Sequence, residues 1–264
     1  MPSFEPVLVY GTPGPVDVLA LAAHPDDVEL AVGGTLLNLD RAGHKTAIVD
    51  FTRGELGTRG TPEQRLTESA EAARLLRLTA RENLGLPDGN LENTLDNRRR
   101  VIEAIRRYRP HLLLINAPAC RHPDHPSAAA LAADANFYAG LAQIQTVDPD
   151  GTPQAPHRAA HVLHYMQSVE FDPTLVVDVS DVWDERMRAF FAYRSQFHDP
   201  AAPPDEAEPQ TFISNPDFAD WVAARAHSYG YRIGARRGEP LLYRHGPFGT
   251  DDLFAVFAKA KRFA

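Results

Sequence analysis

The apolar positions of the first half of the chain fall into two alternating patterns. Short, largely apolar runs, at residues 18–23 (VLALAA), 45–52 (KTAIVDFT) and 111–116 (HLLLIN), are consistent with buried parallel strands. Between them lie stretches with helical spacing. Residues 28–43 keep that spacing and stop at Gly43, a residue suited to the left-handed turn after a helix. Residues 61–76 open with Thr61, Pro62 and Gln64, which predict a capped start with proline at the first helical position. Leu66, Ala70, Ala73 and Leu76 form its expected apolar face. Residues 94–110 predict a helix ended by Pro110, and 127–144 another. A short strand is expected near 83–85, a further strand at 161–167, and the alternation continues to about Phe197.

This rhythm predicts an α/β fold: a Rossmann-like, doubly wound, mainly parallel sheet with helices on both faces and right-handed crossovers. The expected organisation is a single domain over residues 1–264. Residues 198–210, rich in proline and acid, predict a flexible loop, 215–230 one more helix, and 230–264 an irregular C-terminal extension.

Composition narrows the classes of function. A net charge of −8 argues against nucleic acid, whose phosphates call for a basic surface. The single cysteine, Cys120, excludes an internal disulfide framework and fits a reducing cytoplasm. The N-terminus lacks a basic targeting region, and no window reaches the roughly 20 apolar residues of a membrane span. A soluble, cytoplasmic protein is expected, with no membrane partner.

Two loops carry unusual chemistry. The first strand runs straight into His24-Pro25-Asp26-Asp27, and the strand at 111–116 leads to Arg121-His122-Pro123-Asp124-His125. In open α/β sheets ligands bind beyond the carboxyl ends of the strands, so both loops stand where a site is expected. If the two strands are neighbours, six imidazole and carboxylate groups converge. Such a set is suited to a metal with an open coordination position: zinc, or Fe(II) or another divalent transition metal, since thiolates are lacking. One His-Pro-Asp alone is commonplace, and an aspartate before an apolar run is often only a helix cap. Two such loops at equivalent points of one chain are much less so.

On these residues, together with residues 51–61 (FTRGELGTRGT), 62–76 and 192–197 (AYRSQF), the chain resembles the LmbE-like (PIG-L) family of zinc-dependent N-acetylglucosaminyl deacetylases. The resemblance spans most of residues 16–197. Within the family it is most similar to the bacillithiol-pathway enzymes, which remove the acetyl group from N-acetylglucosaminyl malate. The resemblance implies His24, Asp27 and His125 as metal ligands and Asp26 as general base. It implies His122 as the oxyanion-stabilising group, and Asp124 as the carboxylate that orients an imidazole. Arg65 and Arg53 are implied as substrate-facing, and a homo-oligomer is expected from relatives. The chemistry this predicts is attack of activated water on the acetyl carbonyl, with Asp26 taking the proton and returning it to the amine, and a protonated His122 holding the oxyanion. Around residue 239 the family's tail pattern is kept at little beyond Glu239, and Cys120 has no family role, so a neutral substitution is expected there.

Other signals are weaker. His157, His161 and His164 flank a strand and are expected to be structural. Phe190, Tyr193 and Phe197, at helical spacing, are expected in the core, with Arg194 and Gln196 candidates for the pocket. Trp183 and Trp221 are expected to pack, the latter less clearly. The competing functions are deacetylation or amide cleavage of another glycoconjugate, of the mycothiol type, a metallophosphoesterase, and a non-catalytic nucleotide-binding module. No G-x-G-x-x-G, G-K-[ST] or G-x-S-x-G is present to favour nucleotide or serine chemistry.

Overall fold

Successive residues of the first buried strand serve two different cores, because side chains alternate across a sheet. In the computed structural model, which describes residues 5–198, 209–244, 246–247 and 251–252, this strand is β2 (Val18–Ala22). Its Leu19 and Leu21 pack with Ile102, Ile105 and Leu131 on one face of the sheet. Its Val18, Ala20 and Ala22 pack with Val28, Val32 and Leu36 on the other.

The chain order is β1 (Val7–Gly11), β2, α1 (Asp27–Arg41), β3 (Thr46–Asp50), α2 (Pro62–Leu75), β4 (Ala80–Asn83), α3 (Leu95–Tyr108), β5 (Leu112–Ile115) and α4 (Asp124–Ala139). Then follow β6 (His161–Tyr165), β7 (Leu175–Asp178), a 3₁₀ turn (Ser180–Val182), α5 (Trp183–Phe190), α6 (Phe218–Tyr231) and β8 (Gly238–Tyr243). The sheet order is β1-β4-β3-β2-β5-β6-β8-β7. Its centre, β4 to β6, is parallel, while β1, β8 and β7 join antiparallel. The expected α/β architecture with a mainly parallel sheet is therefore found. Among the described residues no helix is long and apolar enough to cross a membrane.

Several boundaries differ from expectation for physical reasons. β4 begins at Ala80, not near 83, because its Arg81 and Glu82 read as polar although both are buried. The C-terminal extension expected to be irregular contains β8, concealed by Glu239 and Pro240. α5 ends at Phe190, so Tyr193 and Phe197 reach the core from turns rather than from a helix. The expected Thr61–Gln64 capping box is present; of the expected face Ala73 and Leu76 are buried, but the first turns bury Arg65 and Ser69 in place of Leu66 and Ala70. The expected loop near 198–210 lies largely outside the described residues.

Glu239 has a structural task. α1 is broken at Val32 (φ −141°, ψ 20°), which frees backbone N–H groups inside the helix. Glu239 Oε1 accepts from Gly34 N at 2.9 Å, and Oε2 accepts from Thr35 N and Thr35 Oγ1, each at 2.7 Å. The carboxylate thus caps the second half of α1, where an anion is favoured. Gly34 permits the approach: a Cβ there would lie 2.8 Å from Val179.

Candidate active site

β2 and β5 are paired, and the strand order runs outwards from them in opposite directions. The two histidine–aspartate loops therefore leave adjacent carboxyl ends at the point where the topology switches. They form one wall of a cleft of about 580 Å³. His24, Asp26, Asp27, Arg65, His122 and His125 line it, together with Asp88, Cys120 and Gln167.

Asp27 stands between two imidazoles. Its Oδ1 is 3.1 Å from His125 Nε2 and its Oδ2 is 3.8 Å from His24 Nδ1. Each ring is held from behind by its other nitrogen: His24 Nε2 lies 3.0 Å from Asp88 Oδ1 and 3.3 Å from Asp124 Oδ2, and His125 Nδ1 lies 2.9 Å from Cys120 Sγ. Two imidazoles and a carboxylate facing each other, with outer partners fixing the rings, is donor chemistry that fits a divalent transition metal. The His122 ring joins the cluster, with donor nitrogens of His24, His122 and His125 all within 4.8 Å of one another; His24, Asp88 and Asp124 form a second such group.

Asp26 has a different environment. Its φ of 103° lies in a region that a residue with a side chain seldom adopts, and its side chain makes no capping bond to α1. The cation it faces is Arg65, 3.8 Å from Oδ2. Burial, opposed by Arg65 and reinforced by the charge of Asp27, lifts the Asp26 carboxyl to about 7. Arg65 itself is bonded to Gln196 and packs over Gly54 so closely that a Cβ there would lie 2.1 Å from Nη1. His122 Nδ1 accepts from Asp124 N at 3.3 Å, which places the ring proton on Nε2. Burial and the charges of His24 and His125 hold His122 below the usual histidine range.

Burial opposes charge on His24, but hydrogen bonds to Asp124 and Asp88 and the charge of Asp27 outweigh it and raise it to about 10. For His125, burial is likewise outweighed, here by Asp27 and Cys120, and its value rises to about 9. In the metal-free chain both rings are protonated at neutral pH, and a metal bound by them has to displace those protons. Zinc affinity is expected to rise with pH between about pH 6 and pH 8, by about tenfold per unit for each proton displaced. Chelator competition at several pH values measures it. A pH-independent affinity would rule out both imidazoles as ligands.

Of the other sequence candidates, Asp124 lies behind His24 and is tied to Gly89 N at 2.8 Å. Arg53 is not brought into the cleft: its Nη2 donates to the Glu5 carbonyl at 3.0 Å. Gln196 lines the cleft; Arg194 does not. His157 and His164 bond to the backbone carbonyls of Pro110 and Asn116, and His161 contacts Tyr243. Trp221, partly exposed, lines the cleft, whereas Trp183 packs beside Arg186. Cys120, expected to be a neutral substitution, lies against His125 and Ser168. The hydrogen bond and charge of His125, with Ser168, outweigh burial and draw its thiol down to about 6.

Sequence reasoning missed Asp88, Asn116 and Gln167. Asp88, in Leu-Pro-Asp-Gly, reads as a turn, and the two amides read as strand ends. All three follow parallel strands at their carboxyl ends, and that position is the signal that would have found them.

An α/β sheet with a histidine–carboxylate cluster at its topological switch defines a class of ligand-binding and catalytic proteins. The chain belongs to the PIG-L family, described as GlcNAc-PI de-N-acetylase, whose pattern matches residues 19–136. It is 30% identical over 200 residues to a diacetylchitobiose deacetylase of Thermococcus kodakarensis, covering 68% of this chain and 70% of that protein. Its fold is similar to that of the conserved protein TT1542 from Thermus thermophilus, at 35% identity and a TM-score of 0.76, over 89% of this chain and 98% of that one. It is also similar in fold to an N,N′-diacetylchitobiose deacetylase from Pyrococcus horikoshii, at 24% identity and a TM-score of 0.71, over 91% and 88%.

Proposed function

We propose that the protein is a zinc-dependent hydrolase that removes the acetyl group from a small N-acetylglucosaminyl conjugate, with N-acetylglucosaminyl malate as its substrate. The observation that carries the hydrolytic reading is the division of labour between adjacent aspartates. Asp27 is enclosed by nitrogen donors, while Asp26, in a constrained backbone, meets the cleft with its carboxyl lifted towards neutrality. His24, Asp27 and His125 would hold the metal, which when bound supplies the Lewis acidity that brings water towards ionisation at neutral pH. Fe(II) or another divalent transition metal suits the same donors.

Asp26, as carboxylate, takes the proton of the attacking water and returns it to the departing amine. Arg65 favours the carboxylate form in which Asp26 begins the cycle and to which it returns. His122 donates to the developing oxyanion through Nε2–H. The bond from Asp124 N to its Nδ1 favours the neutral ring as donor, in place of the imidazolium expected from sequence. The Asp124 carboxylate accepts from His24 Nε2, while its backbone N–H holds His122.

The malate aglycone rests on the sequence resemblance. Identity to a diacetylchitobiose deacetylase favours a second substrate, a disaccharide of N-acetylglucosamine. Zinc-loaded and metal-free protein are to be incubated with N-acetylglucosaminyl malate, N,N′-diacetylchitobiose and N-acetylglucosamine, and free amine quantified. Metal-dependent release favouring the malate conjugate is expected. Preference for the disaccharide would replace the aglycone and keep the chemistry; release from none by the zinc-bound protein would overturn the assignment.

A further inference from the structure

We propose that Gln167 is a positioning residue for the metal centre, acting with Asn116 as an amide clamp that holds the Asp27 carboxylate in its metal-binding orientation. The inference rests on Asp27 being a metal ligand, as proposed above.

Gln167 lies two residues beyond β6, is 4% exposed and lines the cleft. Its amide has one orientation that satisfies its neighbours. Oε1 accepts from Ala117 N and from Asn116 Nδ2, both at 3.2 Å, so the face turned to Asp27 carries Nε2. Nε2 donates to Asp27 Oδ1 at 2.9 Å. Asn116, at the end of β5, is fixed in the same way. Its Oδ1 accepts from Ala23 N at 3.0 Å, which leaves Nδ2 to donate to Asp27 Oδ2, also at 3.0 Å, and to Gln167.

Each Asp27 oxygen therefore receives one side-chain amide donor, and each also faces one imidazole. A carboxylate oxygen has two lone-pair directions. Oδ2 also accepts from the His24 backbone N–H at 3.1 Å, so both its directions are taken, and Oδ1, held by Gln167 alone, keeps one for the side facing His125. Two backbone N–H groups anchor the clamp, so the carboxylate is held by the ends of β2, β5 and β6 together. Gln167 Nε2 is also 3.4 Å from His125 Nε2, so the clamp touches two of the three proposed ligands.

The test uses full-length protein and measures metal, not turnover. Gln167→Met keeps the shape and removes both polar atoms; Gln167→Asn keeps an amide but is too short to reach Ala117 N and Asp27 together. Zinc affinity by chelator competition, the visible spectrum of the cobalt-loaded protein, and thermal unfolding of the metal-free chain are compared with wild type. Both variants are expected to bind zinc about 10- to 100-fold more weakly, with an altered cobalt spectrum and unchanged metal-free unfolding. Wild-type affinity in Gln167→Met overturns the proposal. So does a loss of affinity matched by an equal loss of metal-free stability, which makes the residue structural only. A wild-type protein that binds neither zinc nor cobalt instead removes the functional reading, and the clamp with it.

Discussion

Replacing Asp26 by asparagine is expected to lower kcat by about 10²- to 10⁴-fold, the usual worth of a positioned acid–base group, while leaving zinc content unchanged. The substitution is unusually clean at this position. Asparagine tolerates positive φ better than most residues, so the backbone at φ 103° can persist. It is close to isosteric with aspartate, and the Asp26 side chain forms no helix-capping bond that could be lost. What disappears is the ability to accept a proton. Because the working base is the carboxylate, and burial lifts this carboxyl to about 7 against the pull of Arg65, wild-type kcat/KM is expected to fall as the pH drops below neutrality. The acid limb should be absent from the residual activity of the variant. Initial rates across pH on the substrate the wild type turns over, with metal analysis of both proteins, decide the matter. A variant within tenfold of wild type, fully loaded with zinc, would move the base elsewhere in the cleft.

The parts of this site that can be read from sequence are those whose chemistry is dense and local. Histidines and aspartates crowded into two short loops stand out against apolar strands, and their convergence needed only that β2 and β5 be neighbours, which they are. The partners that aim those groups are spread through the chain and individually ordinary: a turn aspartate, two strand-end amides and one cysteine, at Asp88, Asn116, Gln167 and Cys120. Each acquires meaning through sheet register, which brings Asn116 to Ala23 across 93 positions and Gln167 to Asp27 across 140. Strand boundaries failed in the same manner. β4 and β8 were obscured by Arg81, Glu82 and Glu239, charged residues whose counter-charges or hydrogen-bond donors come from other elements. Burial of a charge is a tertiary fact, and hydrophobic periodicity carries no trace of it.

Arg81 shows how large such a concealed interaction is. It is fully buried beneath the active-site wall, with Nε and Nη2 donating to Asp50 Oδ2 and Oδ1 at 2.7 and 2.9 Å, and Nη1 donating to Glu29. Glu29 also accepts from Tyr193 OH at 3.1 Å, and its Oε2 has no partner among the described residues. Two fully buried carboxylates thus share one guanidinium. Burial already pushes Asp50 upward against Arg81. Replacing Arg81 by methionine keeps much of the volume and leaves both acids unpaired, a change expected to cost about 3–5 kcal/mol. Set against a total stability of about 5–15 kcal/mol, that loss is expected to bring the variant near the unfolding threshold at physiological temperature. The pH dependence follows from the sign of the shift. With the guanidinium gone, the folded-state value of Asp50 rises further above its unfolded value. The penalty is then largest where the unfolded chain ionises the group, and it shrinks as acid protonates it in the fold. Urea denaturation of wild type and Arg81→Met at about pH 7 and pH 5 is expected to give a stability gap that narrows in acid. A gap independent of pH would mean that the loss comes from packing, and that Arg81 is not what keeps two charges tolerable beneath Asp26 and Asp27. Because Glu29 sits in the first turn of α1, two residues after Asp27, loosening this pair is also expected to weaken zinc binding in the folded variant, although Arg81 does not line the cleft.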